Sequence, residues 1–364
     1  MVTPVLRQAA EQLHADELQR LSAADQQSGA ELPPGWLRSP RAVRRFILGD
    51  EALGISRKFY GDDSLVDRAI VTLLGRQGLM LVGEPGTAKS MLSELLAAAI
   101  SGDSQLTIQG TAGTTEDHIK YSWNYALLLA EGPTLRALVG SPLYQGMSQG
   151  KLVRFEEITR CPPEIQDVLI SLLSEKQMMI PELGEAGQLP ARPGFNLIAT
   201  ANLRDRGVHE MSAALKRRFN FETVRPIGDS EFEVELVLRQ LQRELGENAP
   251  VKVERDVIGL LVTVFQELRA GSTREGTAIK APEAVMSTAE AVSVAYAGAL
   301  EARYFGDGRL TPAELARQLL GVVFKDNRDD AKRLRHYLDS VVRERARRDA
   351  NWKCFFDACK GLWD

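Results

Sequence analysis

The sequence predicts an α/β fold: a parallel-sheet core with helices on both faces, followed by an all-helical domain. Three observations predict it. Apolar, strand-like runs at residues 79–82, 105–109, 151–155 and 195–200 are separated by helical segments, the alternation that builds a parallel sheet. The first run passes through Gly83-Glu84-Pro85-Gly86 into a helical pattern beginning at Lys89, which is the strand–loop–helix context of a phosphate-binding loop. Beyond about Thr223 no strand-like run of comparable strength remains.

Taken in order, residues 1–32 read as a polar helical segment, softened at 22–30 and closed by Pro33-Pro34-Gly35. Residues 41–58 read as helix, and 62–77 as an amphipathic helix feeding the first strand. Leu79, Met80, Leu81 and Val82 form a continuous apolar run, as expected for a strand buried on both faces. The helix from Lys89 repeats apolar residues at Met91, Leu92, Leu95, Leu96 and Ala99. Residues 122–150 are long for a connection between core strands. Later helices are expected over 229–246, 254–270, 282–305 and 311–350. Pro226-Ile227-Gly228 marks the boundary, giving an N-terminal segment (1–32), an α/β core (33–226) and a helical region (227–364).

Composition narrows the function classes. A chain of 364 residues with 44% hydrophobic content suits one large or two modest globular domains. A net charge of −4 argues against a protein that coats nucleic acid over its whole surface. Three scattered cysteines, Cys161, Cys354 and Cys359, do not make a disulfide framework and suit a reducing compartment. No run of ~18 apolar residues indicates a membrane span, and the N-terminus has no signal-peptide apolar block. The expectation is a cytoplasmic protein.

The chemistry-bearing residues fall at strand ends. In the loop Gly83-Glu84-Pro85-Gly86-Thr87-Ala88-Lys89-Ser90, followed by Met91, backbone N–H groups and the helix N-terminus form an anion site. Lys89 is placed to reach terminal phosphates and the Ser90 hydroxyl to ligate Mg²⁺. Ala88 stands where the strict motif has Gly. A later strand ends in Glu156-Glu157. One carboxylate there can hold the Mg²⁺ shell while the other polarises an attacking water. Arg154, inside that strand, is unusual for a doubly covered position. Asn202 ends the strand FNLIATAN, where its amide can both donate to a γ-phosphate and hold a water. Arg217 and Arg218 in LKRRF are a solvated pair in the ordinary reading; in a nucleotide hydrolase one can neutralise transition-state charge in trans.

Together these motifs resemble the AAA+ ATPases, specifically the MoxR branch, over about residues 56–298. GEPGTAKS resembles that branch's Walker A, where Ala before the Lys is familiar. LVRFEEITRCPPEIQDVLISLLSEKQMMIP resembles Walker B with its following helix and hairpin, and ATANLRDRGVHEMSAALKRRF resembles the sensor 1 strand and arginine-finger helix. The resemblance implies an AAA+ core with a helical lid, ATP as substrate, Mg²⁺ as cofactor and a ring, typically a hexamer. It implies Glu157 as catalytic carboxylate, Asn202 as sensor 1, and Arg218 ahead of Arg217 as finger. Residues 122–150 resemble the helix-2 insert, and 177–193 the pre-sensor hairpin. Implied partners are a protein client, remodelled in chaperone fashion, and a von Willebrand factor A domain protein.

Two positions depart from the pattern. Glu156 stands where the family usually has Asp, and Pro282 is followed by Glu283 where a sensor 2 Arg is often found; Lys280 and Arg274 are nearby. These departures favour a rival, a non-hydrolysing or very slow nucleotide-gated scaffold. A nucleic-acid motor is the other rival, on the basic run at 343–348. No NKxD-type guanine-reading motif occurs, which disfavours a Ras-like GTPase.

Overall fold

A computed structural model describes residues 7–202, 208–246, 249–321 and 327–360. Part of the segment likened to the sensor 1 and finger region, 203–207, and the ends of the N-terminal and C-terminal regions lie outside the described residues. The chain divides into two compact units. One comprises residues 1–84 and 88–224, the other 225–364 together with Pro85–Thr87.

Among the described residues the strands are β1 (Gly78–Gly83), β2 (Thr107–Gln109), β3 (Tyr121–Trp123), β4 (Leu138–Gly140), β5 (Leu152–Glu156), β6 (Gln177–Met179), β7 (Gln188–Pro190), β8 (Asn196–Asn202) and β9 (Phe219–Thr223). The first unit is built on a five-stranded sheet of order β2-β5-β8-β1-β9, with every pairing parallel. Strands β1, β5 and β8 are buried along their whole length, because helices cover both faces of a parallel sheet. Alternation along β1 divides its side chains. Leu79 and Leu81 pack with Phe46, Val66 and Leu96 on one face, while Met80 and Val82 pack with Phe155, Leu169 and Leu215 on the other.

The N-terminal segment belongs to this unit: Leu18 and Leu21 lie in its core, and Arg38 donates to the carbonyls of Leu18 and Ala99. The helix expected over 41–58 ends at Leu48, where Gly49 adopts φ 88°, and continues only as a 3-10 turn at Glu51–Leu53. Residues 121–140 form the antiparallel pair β3–β4 around a helix at Tyr125–Glu131. Strands β6 and β7 form a second hairpin. The Tyr121 hydroxyl donates to Glu182 at 2.8 Å and so joins the two excursions. Strand β9 is not among the four strands read from sequence; it pairs with β1 at the sheet edge.

The second unit is helical, with long helices at Ser230–Leu245, Arg255–Ala270 and Thr288–Phe305. The third starts later than the pattern from Pro282 implies. The N–H groups of Glu283 and Ala284 donate to Asp330, and Ser287 with Glu290 forms a capping box that fixes the start. Phe265, Leu261, Tyr337 and Phe355 anchor its core. Buried carboxylates are all partnered: Glu233 by Arg269, and Glu267 by Arg345 and the Tyr337 hydroxyl at 2.6 Å. Burial, reinforced by Glu267, raises the Tyr337 phenol well above its ordinary range, so it acts as a neutral donor. Tyr337→Phe leaves one acceptor position of Glu267 unfilled and is expected to destabilise the protein by about 1–3 kcal/mol, read from urea unfolding. Arginines of the basic run pair with carboxylates, most of them outside the run. Arg343 pairs with Asp339, Arg345 with Glu267 and Glu275, and Arg347 with Glu344.

Candidate nucleotide site

The sheet order decides how the site is assembled. Because β8 lies between β1 and β5, the ends of three strands meet at one edge: Gly83 of β1 is level with Asn202 of β8. On the other side of β5, Gln109 is level with Glu156. This is the C-terminal strand edge where open α/β sheets bind ligands.

The loop between β1 and its helix depends on unusual backbone. Gly86 takes φ 75° and Ala88 φ 66° before the helix Lys89–Ser101 begins. The Lys89 ammonium is buried and donates to the carbonyls of Gly83 at 3.1 Å and Glu84 at 2.7 Å, holding its stem across the loop. Ala88 occupies the left-handed region, where a Cβ costs about 1–2 kcal/mol. Ala88→Gly removes that cost and is expected to stabilise the protein by about 1 kcal/mol, measured by thermal denaturation.

Glu156 receives four hydrogen bonds. Ser90 Oγ at 2.7 Å and Thr200 Oγ1 at 2.8 Å donate to Oε2; Ser93 Oγ at 2.7 Å and Arg154 Nη2 at 2.8 Å donate to Oε1. Burial alone would raise this carboxyl. The Ser90 hydrogen bond, the Arg154 charge and the hydroxyls of Ser93 and Thr200 outweigh burial and hold it below its ordinary range. Ser90 itself is an exposed residue. A serine hydroxyl beside an ionised carboxylate is an all-oxygen donor set, and it fits Mg²⁺, which retains several waters.

The neighbouring Glu157 differs in every respect. Its backbone is left-handed, with φ 55°, and its N–H donates to Thr200 Oγ1 at 2.9 Å. Its carboxylate is partly exposed, paired with Arg160 at 2.8 Å and 3.4 Å from Gln109 Nε2. A non-glycine residue held in αL at the end of a core strand is strain of the kind concentrated at functional sites. Thr200 therefore holds both residues, donating to the Glu156 carboxylate and accepting from the Glu157 backbone N–H.

The remaining sequence-selected residues separate. Asn202 is buried at the same edge as Gly83. Arg217 and Arg218 lie at the opposite edge, for the Gly78 N–H donates to the Arg218 carbonyl at the start of β1. The length of β1 puts that end roughly 17 Å from Gly83. Arg218 Nε donates to Ser174 Oγ at 2.6 Å, and Arg217 is exposed.

Comparison with known proteins identifies the family. The family described as AAA domain (dynein-related subfamily) matches residues 78–219, and the YehL-like AAA+ ATPase C-terminal domain matches residues 231–362. The uncharacterized protein YehL of Escherichia coli (strain K12) is 55% identical over 348 residues, covering 95% of this chain and 94% of that protein. The chain belongs to the YehL-like AAA+ ATPase family. A more distant relative is the chaperone MoxR1 of Mycobacterium tuberculosis (strain ATCC 25618 / H37Rv), 26% identical over 220 residues. That match covers 57% of this chain and about half, 52%, of the relative. The chain is thus an AAA+ ATPase.

Within this AAA+ site, sequence reasoning missed Ser93, Thr200 and Gln109, and left Arg154 without a role. The signal was spacing. Ser93 follows Ser90 by three positions on one helix face, while Thr200 and Arg154 each precede a selected residue by two on one strand face. Arg274 and Lys280, the nearby sensor 2 candidates, are both exposed, and Arg274 donates to Ser230.

Proposed function

We propose that this ATPase hydrolyses Mg²⁺–ATP as a ring, a hexamer, and uses the cycle to remodel or assemble a protein client in the manner of a chaperone. The observation that carries the reading is the Ser90–Glu156 hydrogen bond of 2.7 Å, which ties the phosphate loop's helix to the acidic strand end. In this reading residues 83–91 cradle the phosphates, Lys89 contacts the terminal ones, and Ser90 with Glu156 holds Mg²⁺, which neutralises phosphate charge. Glu157 polarises the water, Asn202 senses the γ-phosphate, and Arg218, with Arg217 second, serves the neighbouring subunit. The core is residues 33–226 with its insert at about 122–150, preceded by the segment 1–32 and followed by a lid over 227–364.

Exposed Tyr125 and Leu129 on the insert, 73% and 89% accessible, support contact with a client. A von Willebrand factor A domain protein is the partner class that the MoxR resemblance favours. The free cysteines fit a cytoplasmic setting. Among the described residues no helix is long and apolar enough to cross a membrane.

Steady-state phosphate release with Mg²⁺–ATP tests the reading. Lys89→Ala, which removes the point charge on the phosphate loop, is expected to abolish measurable ATP binding in calorimetric titration; wild-type affinity would remove the loop assignment. One observation favours a second, slow nucleotide-gated reading, since the Glu157 carboxylate is engaged by Arg160. Wild-type turnover no faster than that of Glu157→Gln would select it. The nucleic-acid motor loses its support because arginines of the basic run are paired with carboxylates. Salt-dependent DNA binding would restore it.

A further inference from the structure

Arg154 is a buried guanidinium in the middle of a buried core strand. It has an acceptor for each of its five N–H groups. Nε meets Ser93 Oγ at 2.9 Å; Nη1 meets the Ser104 carbonyl at 3.0 Å and Thr107 Oγ1 at 3.4 Å; Nη2 meets the Ser90 carbonyl at 3.1 Å and Glu156 Oε1 at 2.8 Å. The cation therefore binds both the acid at the strand end and the helix that carries Ser90. Arg154 and Glu156 also share one face of β5, two residues apart.

We propose that Arg154 is the site's built-in counterion. It stands in for Mg²⁺ as the positive partner of Glu156 in the unliganded protein, and thereby sets how much Mg²⁺ is needed to bind nucleotide. The geometry supplies the reason. A buried carboxylate is costly without a cation, and Arg154 provides one whether or not metal is present. Mg²⁺ must then enter beside a carboxylate that is already compensated, and against the field of a guanidinium one carboxylate away. The longer Glu at this position and the Arg two residues before it form one coupled device: the extra methylene gives Glu156 the reach to accept from Ser90 and Thr200 on one oxygen and from Arg154 and Ser93 on the other. Arg154 is a positioning residue in this account; it touches neither nucleotide nor metal. The inference rests on the Mg²⁺–nucleotide reading of the site.

The test is ADP affinity, measured calorimetrically over a series of free Mg²⁺ concentrations, with no turnover required. Arg154→Met leaves Glu156 without its cation, so Mg²⁺ gains a partner. The Mg²⁺ concentration giving half the full affinity gain is expected to fall at least fivefold. Arg154→Lys keeps the charge and is expected to stay within twofold of wild type. Glu156→Gln leaves Arg154 uncompensated beside the metal and is expected to raise the midpoint at least tenfold. The double variant R154M/E156Q buries neither charge but still lacks the carboxylate, and should recover part of that rise, at least threefold. A merely structural Arg154 predicts that Arg154→Met weakens or leaves unchanged the Mg²⁺ response, and either result overturns the proposal. Should Arg154→Met not fold, equal midpoints for Glu156→Gln and the double variant overturn it instead. A wild-type protein whose ADP affinity ignores Mg²⁺ would overturn the metal reading itself and the proposal with it. A normal wild-type response with unresponsive variants overturns the proposal alone.

Discussion

Glu157→Gln is expected to lower ATP turnover by about 10²–10⁴-fold, the range contributed by a positioned general base, while ATP binding stays within about twofold of wild type. The two carboxylates at the end of β5 have opposite environments. Glu156 is buried and fully hydrogen-bonded, which suits a fixed negative charge and leaves it no freedom to take a proton from water. Glu157 is held by its backbone, by the exposed Arg160 and by Gln109 at 3.4 Å, so its carboxylate can exchange partners when substrate arrives. Gln preserves size and one acceptor oxygen, and removes the charge and with it the basicity. Phosphate release and calorimetric ATP binding check the expectation together. If Glu156→Gln abolishes turnover with ATP binding intact while Glu157→Gln is harmless, the two roles are reversed.

Arg218→Ala is expected to bind ATP normally and to hydrolyse it on the order of 10³-fold more slowly. Arg218 is fixed at the start of β1 through its own carbonyl and through Ser174, at the far edge of the sheet from the phosphate loop of the same chain. No side chain spans roughly 17 Å, so an effect of that size on catalysis must be delivered to another subunit. Arg217 is the competing assignment. It is exposed, and its carbonyl accepts from Gln77 Nε2. A loss confined to Arg217→Ala would transfer the role.

The sheet was legible because its central strands are apolar on both faces. Leu79, Met80, Leu81 and Val82 need no alternation when helices cover both sides, and the Gly/Pro loop after them announces the nucleotide site. Strand β9 was not legible. It is an edge strand whose outward Phe221 is exposed and whose Glu222 is buried against Arg68, so its pattern opposes the simple rule of apolar residues inside. The start of the helix at Thr288 is set by the capping box of Ser287 and Glu290, while the N–H groups of Glu283 and Ala284 are held by the distant Asp330. At the strand edge, Lys89, Ser90, Glu156 and Asn202 were selected by motif. Those that orient them were not, because Ser93 and Thr200 are ordinary core-lining residues until the sheet order brings them to Glu156.

A working ATPase site is expected to be shared between two copies of this chain, and mixing inactive variants measures this. Lys89→Ala subunits lack a phosphate loop and keep Arg218; Arg218→Ala subunits have the loop and lack the arginine. Neither can form an intact site alone. When the two are combined under conditions that allow subunit exchange, each correctly ordered boundary between them restores one complete site. Phosphate release from the mixture is predicted to rise well above the sum of the separate preparations. A mixture that remains at that sum, with exchange demonstrated independently, would contradict a composite site.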